Sequence, residues 1–174
     1  MKKFELTTES ITNEAGKKLF RIKALIDFGD VKAGELGGYV EKEENVSQAD
    51  NAWVSGDAEV FGNARVCGDA WVCGNARVCG NAWVCGNARV SGNAWVSGDA
   101  DYALVQGFGT EFRCTTFYRG KNKKIMVNCG CFHGDLEEFR KQVKETRSGK
   151  IAKEYLMIAD LMKYHFASED SSDE

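Results

Sequence analysis

The sequence has no proline and only two histidines among its 174 residues, and it contains no long apolar run. Without proline there is no proline-rich segment, and the turn signals are those of Gly, Asn and Asp. Two histidines, His133 and His165, leave little imidazole for general-base or metal chemistry. The opening "MKKFELTTES" has no apolar stretch after its lysines, which is unlike an export signal, and nothing approaches the roughly 18 apolar residues of a membrane span. An odd count of seven cysteines without such a signal indicates reduced thiols. The expectation is a cytoplasmic protein with no membrane contact.

What is present is ordinary in amount and unusual in arrangement. Apolar residues make up 43% and charged residues 28%, enough to bury a core in one domain or two small ones. Net charge is −3 but unevenly spread: residues 105–166 hold 12 basic and 7 acidic side chains, and "ASEDSSDE" ends the chain as an expected disordered acidic tail. The basic excess marks Arg119, Lys121, Lys123, Lys124, Arg140 and Lys144 as candidates for an anionic partner.

Eight consecutive copies of [N/D]-A-x-V-x-G run from Asn51 to Gly98 without an insertion. A period this regular is the mark of a repeat architecture. Six residues are too few for a helical repeat, whereas A-x-V is a short strand with Ala and Val on one face, and Gly followed by Asn or Asp supplies a corner. Three such sides make an eighteen-residue coil whose neighbours stack at about 4.8 Å. "LGGYVE" (36–41) and "DADYAL" (99–104) extend the register weakly, with Leu36 and Tyr102 at the valine place, so about four coils are expected between 30 and 104.

The x positions alternate Trp and Arg with period 12 against a stacking period of 18. The outer faces should therefore carry Trp53–Trp71–Arg89, Glu59–Arg77–Trp95 and Arg65–Trp83–Asp101. Guanidinium over indole contributes roughly 0.5–1 kcal/mol at exposed sites, and Trp and Arg are also common binding hot spots. Cys67, Cys73, Cys79 and Cys85 follow the valines, face outward and go to different sides, so they cannot converge on a metal; they read as filling.

At the ends, "KFELT" (3–7) and "LFRIKALI" (19–26) flank the turn "TNEAGKK" and form a hairpin cap over residues 1–29, protecting an open sheet edge. Residues 105–167 read as a ββαα unit: strands 110–119 and 124–132 around "GKNK", helix 136–147 opened by an Asp135/Glu138 capping box, and a second helix with Ile151, Tyr155, Ile158, Met162 and Phe166 on one face. Cys114, Cys129, Cys131 and His133 lie close in this unit, but C-x-C-x-H on one strand face converges poorly on a tetrahedral ion. No metal or cofactor is expected.

The repeats resemble the hexapeptide-repeat family, read from the valine as V-S-G-N-A-W. That resemblance implies a left-handed parallel β-helix, although glycine here falls two places after the aliphatic residue. Family members are often acyltransferases or carbonic anhydrases that depend on histidine, and the solenoid has none; an ice-binding prism would need a flat Thr array, also missing. No phosphate loop or nucleophile elbow occurs, so an enzyme is not expected.

"GELGGYVEKEENVSQADNAWV" and "FRCTTFYRGKNKKIMVNCGCFHGDLEEF" together resemble small phage and prophage proteins. This implies a non-enzymatic anti-defence factor in the host cytoplasm, for example an anti-CRISPR that binds an effector nuclease or its guide complex, with indirect nucleic-acid contact. Alternatives are a structural or virion-associated module that dimerises through its C-terminal unit, and a direct nucleic-acid binder.

Overall fold

The computed structural model describes residues 1–98 and 101–167. It is mainly β: a β-solenoid of about three turns, closed at one end by a hairpin and at the other by a sheet carrying two helices. The expected hairpin is present as β1 (Phe4–Thr12) and β2 (Lys18–Ala24), turning at Asn13–Gly16.

The solenoid is built from β3 (Leu36–Val40) and eight two-residue strands, β4 (Trp53–Val54), β5 (Glu59–Val60), β6 (Arg65–Val66), β7 (Trp71–Val72), β8 (Arg77–Val78), β9 (Trp83–Val84), β10 (Arg89–Val90) and β11 (Trp95–Val96). They stack in three parallel sets: β3-β5-β8-β11, which β2 and β1 extend antiparallel; β4-β7-β10; and β6-β9. We call these walls one, two and three. Within the repeats, partners lie eighteen positions apart, as in Val54↔Val72, Val60↔Val78 and Val66↔Val84.

The physical reasons are local. Ala and Val of every copy point inward and are fully or almost fully buried. Burying each valine contributes about 1.5–3 kcal/mol before the entropy cost of ordering the chain. The corner after each strand is a glycine, such as Gly74 at φ +70 and Gly80 at φ +62. A Cβ on Gly80 would lie 2.1 Å from the Ser97 carbonyl oxygen, so this glycine answers both a left-handed backbone and a close approach of the next turn. Beside the corners, Asn51 Nδ2 donates to Asp69 Oδ1 at 2.8 Å and Asn63 Nδ2 to Asn81 Oδ1 at 3.2 Å.

The weak outer registers turn out differently. Val40, not Leu36, takes the valine place, pairing with Val60, and Leu36 pairs with Lys23 of the hairpin. The partners Val40↔Val60 and Val46↔Val66 are twenty apart. The first turn thus holds two extra residues, accommodated around Gln48–Asp50, where Asp50 has φ 55. At the other end, Tyr102 leaves the solenoid register and starts a new sheet, pairing with Tyr118. Residues 99 and 100 of "DADYAL" lie outside the described residues, as does the tail 168–174.

That sheet has four antiparallel strands rather than two, in the order β12 (Tyr102–Phe108), β13 (Arg113–Arg119), β14 (Ile125–Cys129), β15 (Phe132–Asp135). Helices α1 (Leu136–Thr146) and α2 (Gly149–His165) follow, α1 opened by the expected Asp135/Glu138 capping box. Because side chains alternate across a sheet, its two faces serve two cores. Phe117, Val127, Ala103 and Val105 pack with the helices, while Tyr118, Tyr102 and Met126 pack with the solenoid interior. The sheet is therefore a lid on the last turn. Of the expected α2 face, Tyr155, Ile158, Met162 and Phe166 are buried and Ile151 is half-buried.

Candidate functional site

The x positions of the repeat do form rows along the walls, and the N-terminal cap covers the near end of wall two, while Arg89 on that wall and Trp95 on wall one stay exposed. Trp53 is the correction: its relative exposure is 0%, so it is core rather than contact surface. Phe4 and Phe28 from the N-terminal region meet its ring edge-on, at centroid distances of 6.2 and 5.4 Å, and its indole N–H has no hydrogen-bond partner. Trp71, next along wall two, is half-buried beneath Arg89, whose guanidinium carbon lies 5.9 Å from the ring.

Wall one is held by ion pairs. Arg77 reaches Glu14 of the hairpin turn at 2.6 Å and Glu59 at 3.5 Å, and its guanidinium carbon lies 5.8 Å from the Trp95 ring. The Arg77 contact also holds the Glu14 carboxyl below its usual pKa range. Wall three differs. Arg65 is exposed and paired in register with Trp83, which is 55% exposed. Together they line a groove with Glu43, Glu44 and Gln48.

The residues after the valines have a role that the filling reading missed. Trp71 Nε1 donates to Ser55 Oγ at 2.9 Å and Trp83 Nε1 to Cys67 Sγ at 2.8 Å. In both bonds the acceptor is a Ser or Cys sixteen positions earlier, one turn back, whereas Trp53 has Gly37 at that place. Burial pushes the thiols of Cys67, Cys73, Cys79 and Cys114 above their usual pKa, which keeps them protonated and weakly nucleophilic at neutral pH.

The basic candidates of the C-terminal unit are not one free patch. Arg119 is engaged by Asp101 at 3.1 Å, by the Phe166 carbonyl at 2.8 Å and by the Phe166 ring. Lys124 pairs with Asp135 at 2.9 Å, and Arg140 ties α1 to Asp160 of α2 at 2.7 Å. Lys121 and Lys123 are exposed on the β13–β14 turn, and Lys144 is exposed on the last turn of α1.

The cysteine–histidine group is structural in its contacts. Gly130, with φ 60, turns the chain between β14 and β15, so Cys129 and Cys131 do not share one strand face. Cys129 accepts from Thr115 Oγ1 at 3.1 Å, and His133 Nε2 meets the Tyr118 hydroxyl at 3.2 Å. Among the described residues no three His, Cys, Asp or Glu side chains gather as metal ligands. No helix among them is long and apolar enough to cross a membrane.

One buried charge without a sequence signal is Lys3. Its ammonium is buried and donates to the carbonyls of Ala52 at 2.8 Å, Ala49 at 3.2 Å and Asp50 at 3.2 Å. Burial pushes its pKa down to about 8.

A search of curated proteins finds no significant match. The family described as YdcK Beta solenoid repeat matches residues 70–86 and 82–98, which fall on strands β7 to β11. Over those repeats the chain is similar to that family, in agreement with the solenoid seen here.

Proposed function

We propose that the chain is a non-enzymatic binding protein that acts by occupancy, with wall three of the solenoid as its contact surface. The observation that carries this is the Arg65–Trp83 row, in which Arg65 is exposed and Trp83, at 55%, is the most exposed of the four tryptophans. An exposed indole beside an arginine, rimmed by Glu43 and Glu44, is the composition of a protein-binding hot spot.

The resemblance to phage proteins directs the proposal to a host defence complex, an effector nuclease or its guide assembly, met in the host cytoplasm. The same reading takes the solenoid as a left-handed helix of three hexads per turn. The eighteen-residue register supports the hexads, and the hexapeptide-repeat resemblance supplies the hand. The test is a pull-down from host lysate followed by a cleavage assay with the captured nuclease. The expected result is stoichiometric inhibition that is lost in Arg65→Glu/Trp83→Ala. Inhibition that survives this double change, or that falls only when Lys121 and Lys123 are reversed in charge, would move the surface or sink the proposal.

A further inference from the structure

The ion pairs of the C-terminal unit leave two of its arginines out. Arg119, Lys124 and Arg140 are engaged by Asp101, Asp135 and Asp160, whereas Arg113 and Arg147 have no acidic partner among the described residues. They come from different elements, the start of β13 and the residue that ends α1, and yet both line one cavity of about 80 Å³. Two like charges beside one space repel each other, and an anion held between them relieves that.

The local backbone places these groups and makes room for them. Phe112, just before Arg113, has φ 49, a left-handed conformation that is unusual for an aromatic residue and is met at functional sites. The Arg113 guanidinium crosses the β14–β15 turn at Gly130, where a Cβ would lie 2.5 Å from its Nη1. Gly109 gives the same clearance to Tyr155: a Cβ there would lie 2.3 Å from the hydroxyl, which donates to the Phe108 carbonyl at 3.3 Å. Burial pushes the Tyr155 hydroxyl above its usual pKa, and the charges of Arg147 and Arg113 both oppose that shift, so both reach the same end of the ring. The apolar part of the lining comes from Phe139, which is buried, and Phe132, which is half-buried, with ring centroids 5.5 Å apart. Glu111 is the carboxylate of the lining, exposed and ion-paired with neither arginine.

We propose that this cavity binds a small monocarboxylate with a short apolar chain, its carboxylate between Arg113 and Arg147 and its carbons against Phe132 and Phe139. Planar guanidinium forks match a carboxylate in geometry. The two rings reward carbon, which inorganic anions lack, and the volume limits the chain to a few carbons. Two positive charges against Glu111 leave a single charge to be matched, which favours a monoacid over a diacid.

Titration of the isotope-labelled full chain with butyrate, followed by backbone amide shifts, tests this. The expected result is a set of saturable shifts confined to residues 110–113, 129–132 and 142–147. Butan-ol without the charge and inorganic phosphate without the carbon should each bind about tenfold more weakly or worse. Arg113→Gln and Arg147→Gln should each raise the butyrate dissociation constant about tenfold. Both side chains are exposed, so the circular dichroism should stay that of the parent. Glu111→Gln should lower the constant, and Arg65→Glu/Trp83→Ala should leave it unchanged, which separates this site from the surface on wall three. No saturable shift with butyrate, binding of phosphate or the alcohol as tight as that of butyrate, or binding that survives both arginine changes would overturn the proposal.

Discussion

The two ends of the solenoid solve one problem with different chemistry. A stack of parallel strands leaves backbone N–H and C=O groups open at each end, and buried groups of that kind cost about 1–3 kcal/mol each when unpaired. At the N-terminal end backbone answers backbone: β2 joins β3 antiparallel, and the ladder of wall one simply continues into the hairpin. Side chains act around it: Asn45 Nδ2 donates to the Gly62 and Ala64 carbonyls, Glu41 accepts from the Gly62 amide, and the irregular corner at Gln48–Asp50 is met by Lys3 and by Gln48, whose Oε1 accepts from the Lys3 and Phe4 amides.

At the C-terminal end the lid answers largely with side chains. Thr116 Oγ1 accepts from the Arg89 amide at 3.0 Å, Asn128 Nδ2 donates to the Arg89 carbonyl at 2.8 Å, and the Tyr118 hydroxyl donates to the Ser91 carbonyl at 3.2 Å. A continued ladder demands strand geometry from its partner, whereas a side-chain lid can be a sheet of another orientation with a core of its own.

The largest expected effect breaks the lid. Tyr118→Ala removes a fully buried ring that belongs to the solenoid core and the hydroxyl that meets Ser91 and His133. Stability should fall by about 3–5 kcal/mol. Amide exchange should rise in residues 87–98 and in the sheet, with residues 4–24 protected as before; uniform loss of protection would mean that the ends are not independent.

Next comes the N-terminal clamp. Lys3→Met leaves the carbonyls of Ala49, Asp50 and Ala52 without their donor and should cost about 2 kcal/mol, read from the urea midpoint. The pH dependence sharpens the point. Because the folded-state pKa of Lys3 is lowered to about 8 from 10.5, the unfolded chain binds more protons between those values. The penalty of the buried charge is therefore present in full below pH 8 and is relieved as pH rises toward 10.5. Relative to Lys3→Met, the parent protein should gain stability over that window; a flat difference would contradict the burial argument.

The smallest effect lies between the ends. Ser55→Ala removes the acceptor of the Trp71 indole N–H and should cost about 1 kcal/mol without changing either cap. An equal loss for Phe61→Ala would show that volume, not the hydrogen bond, sets the residue after valine.

The body of the solenoid was legible because each inward position repeats the same two residue types at a fixed period, so Val54, Val72 and Val90 report one environment three times. The ends were not, because each contact there occurs once. Nothing in "LGGYVE" distinguishes Leu36 from Val40 as the inward residue until β2 is placed beside β3. Tyr102 sits at the valine spacing yet belongs to a sheet whose faces are assigned only by what lies above and below. Trp53 is buried by Phe4 and Phe28 from outside the repeats, and Lys3 meets carbonyls at the extra pair of residues near Gln48, an insertion invisible before the Val46↔Val66 bridge is known. The Ser and Cys partners of the indoles were readable in principle, since Ser55–Trp71 and Cys67–Trp83 share one spacing.

The stacked corner amides have a further consequence. Asn63 and Asn81 occupy equivalent places one level apart. Excising residues 63–80 would therefore join Gly62 to an identical residue and keep the inward Ala and Val ladder in register, while the outer rows change, Trp95 taking the place of Arg77 above Glu59 and beside Glu14. The span between the two ends is thus adjustable in increments of about 4.8 Å, like a telescoping column. A gain or loss of only six residues would instead rotate one end by a wall, so length can drift among related chains only in whole storeys.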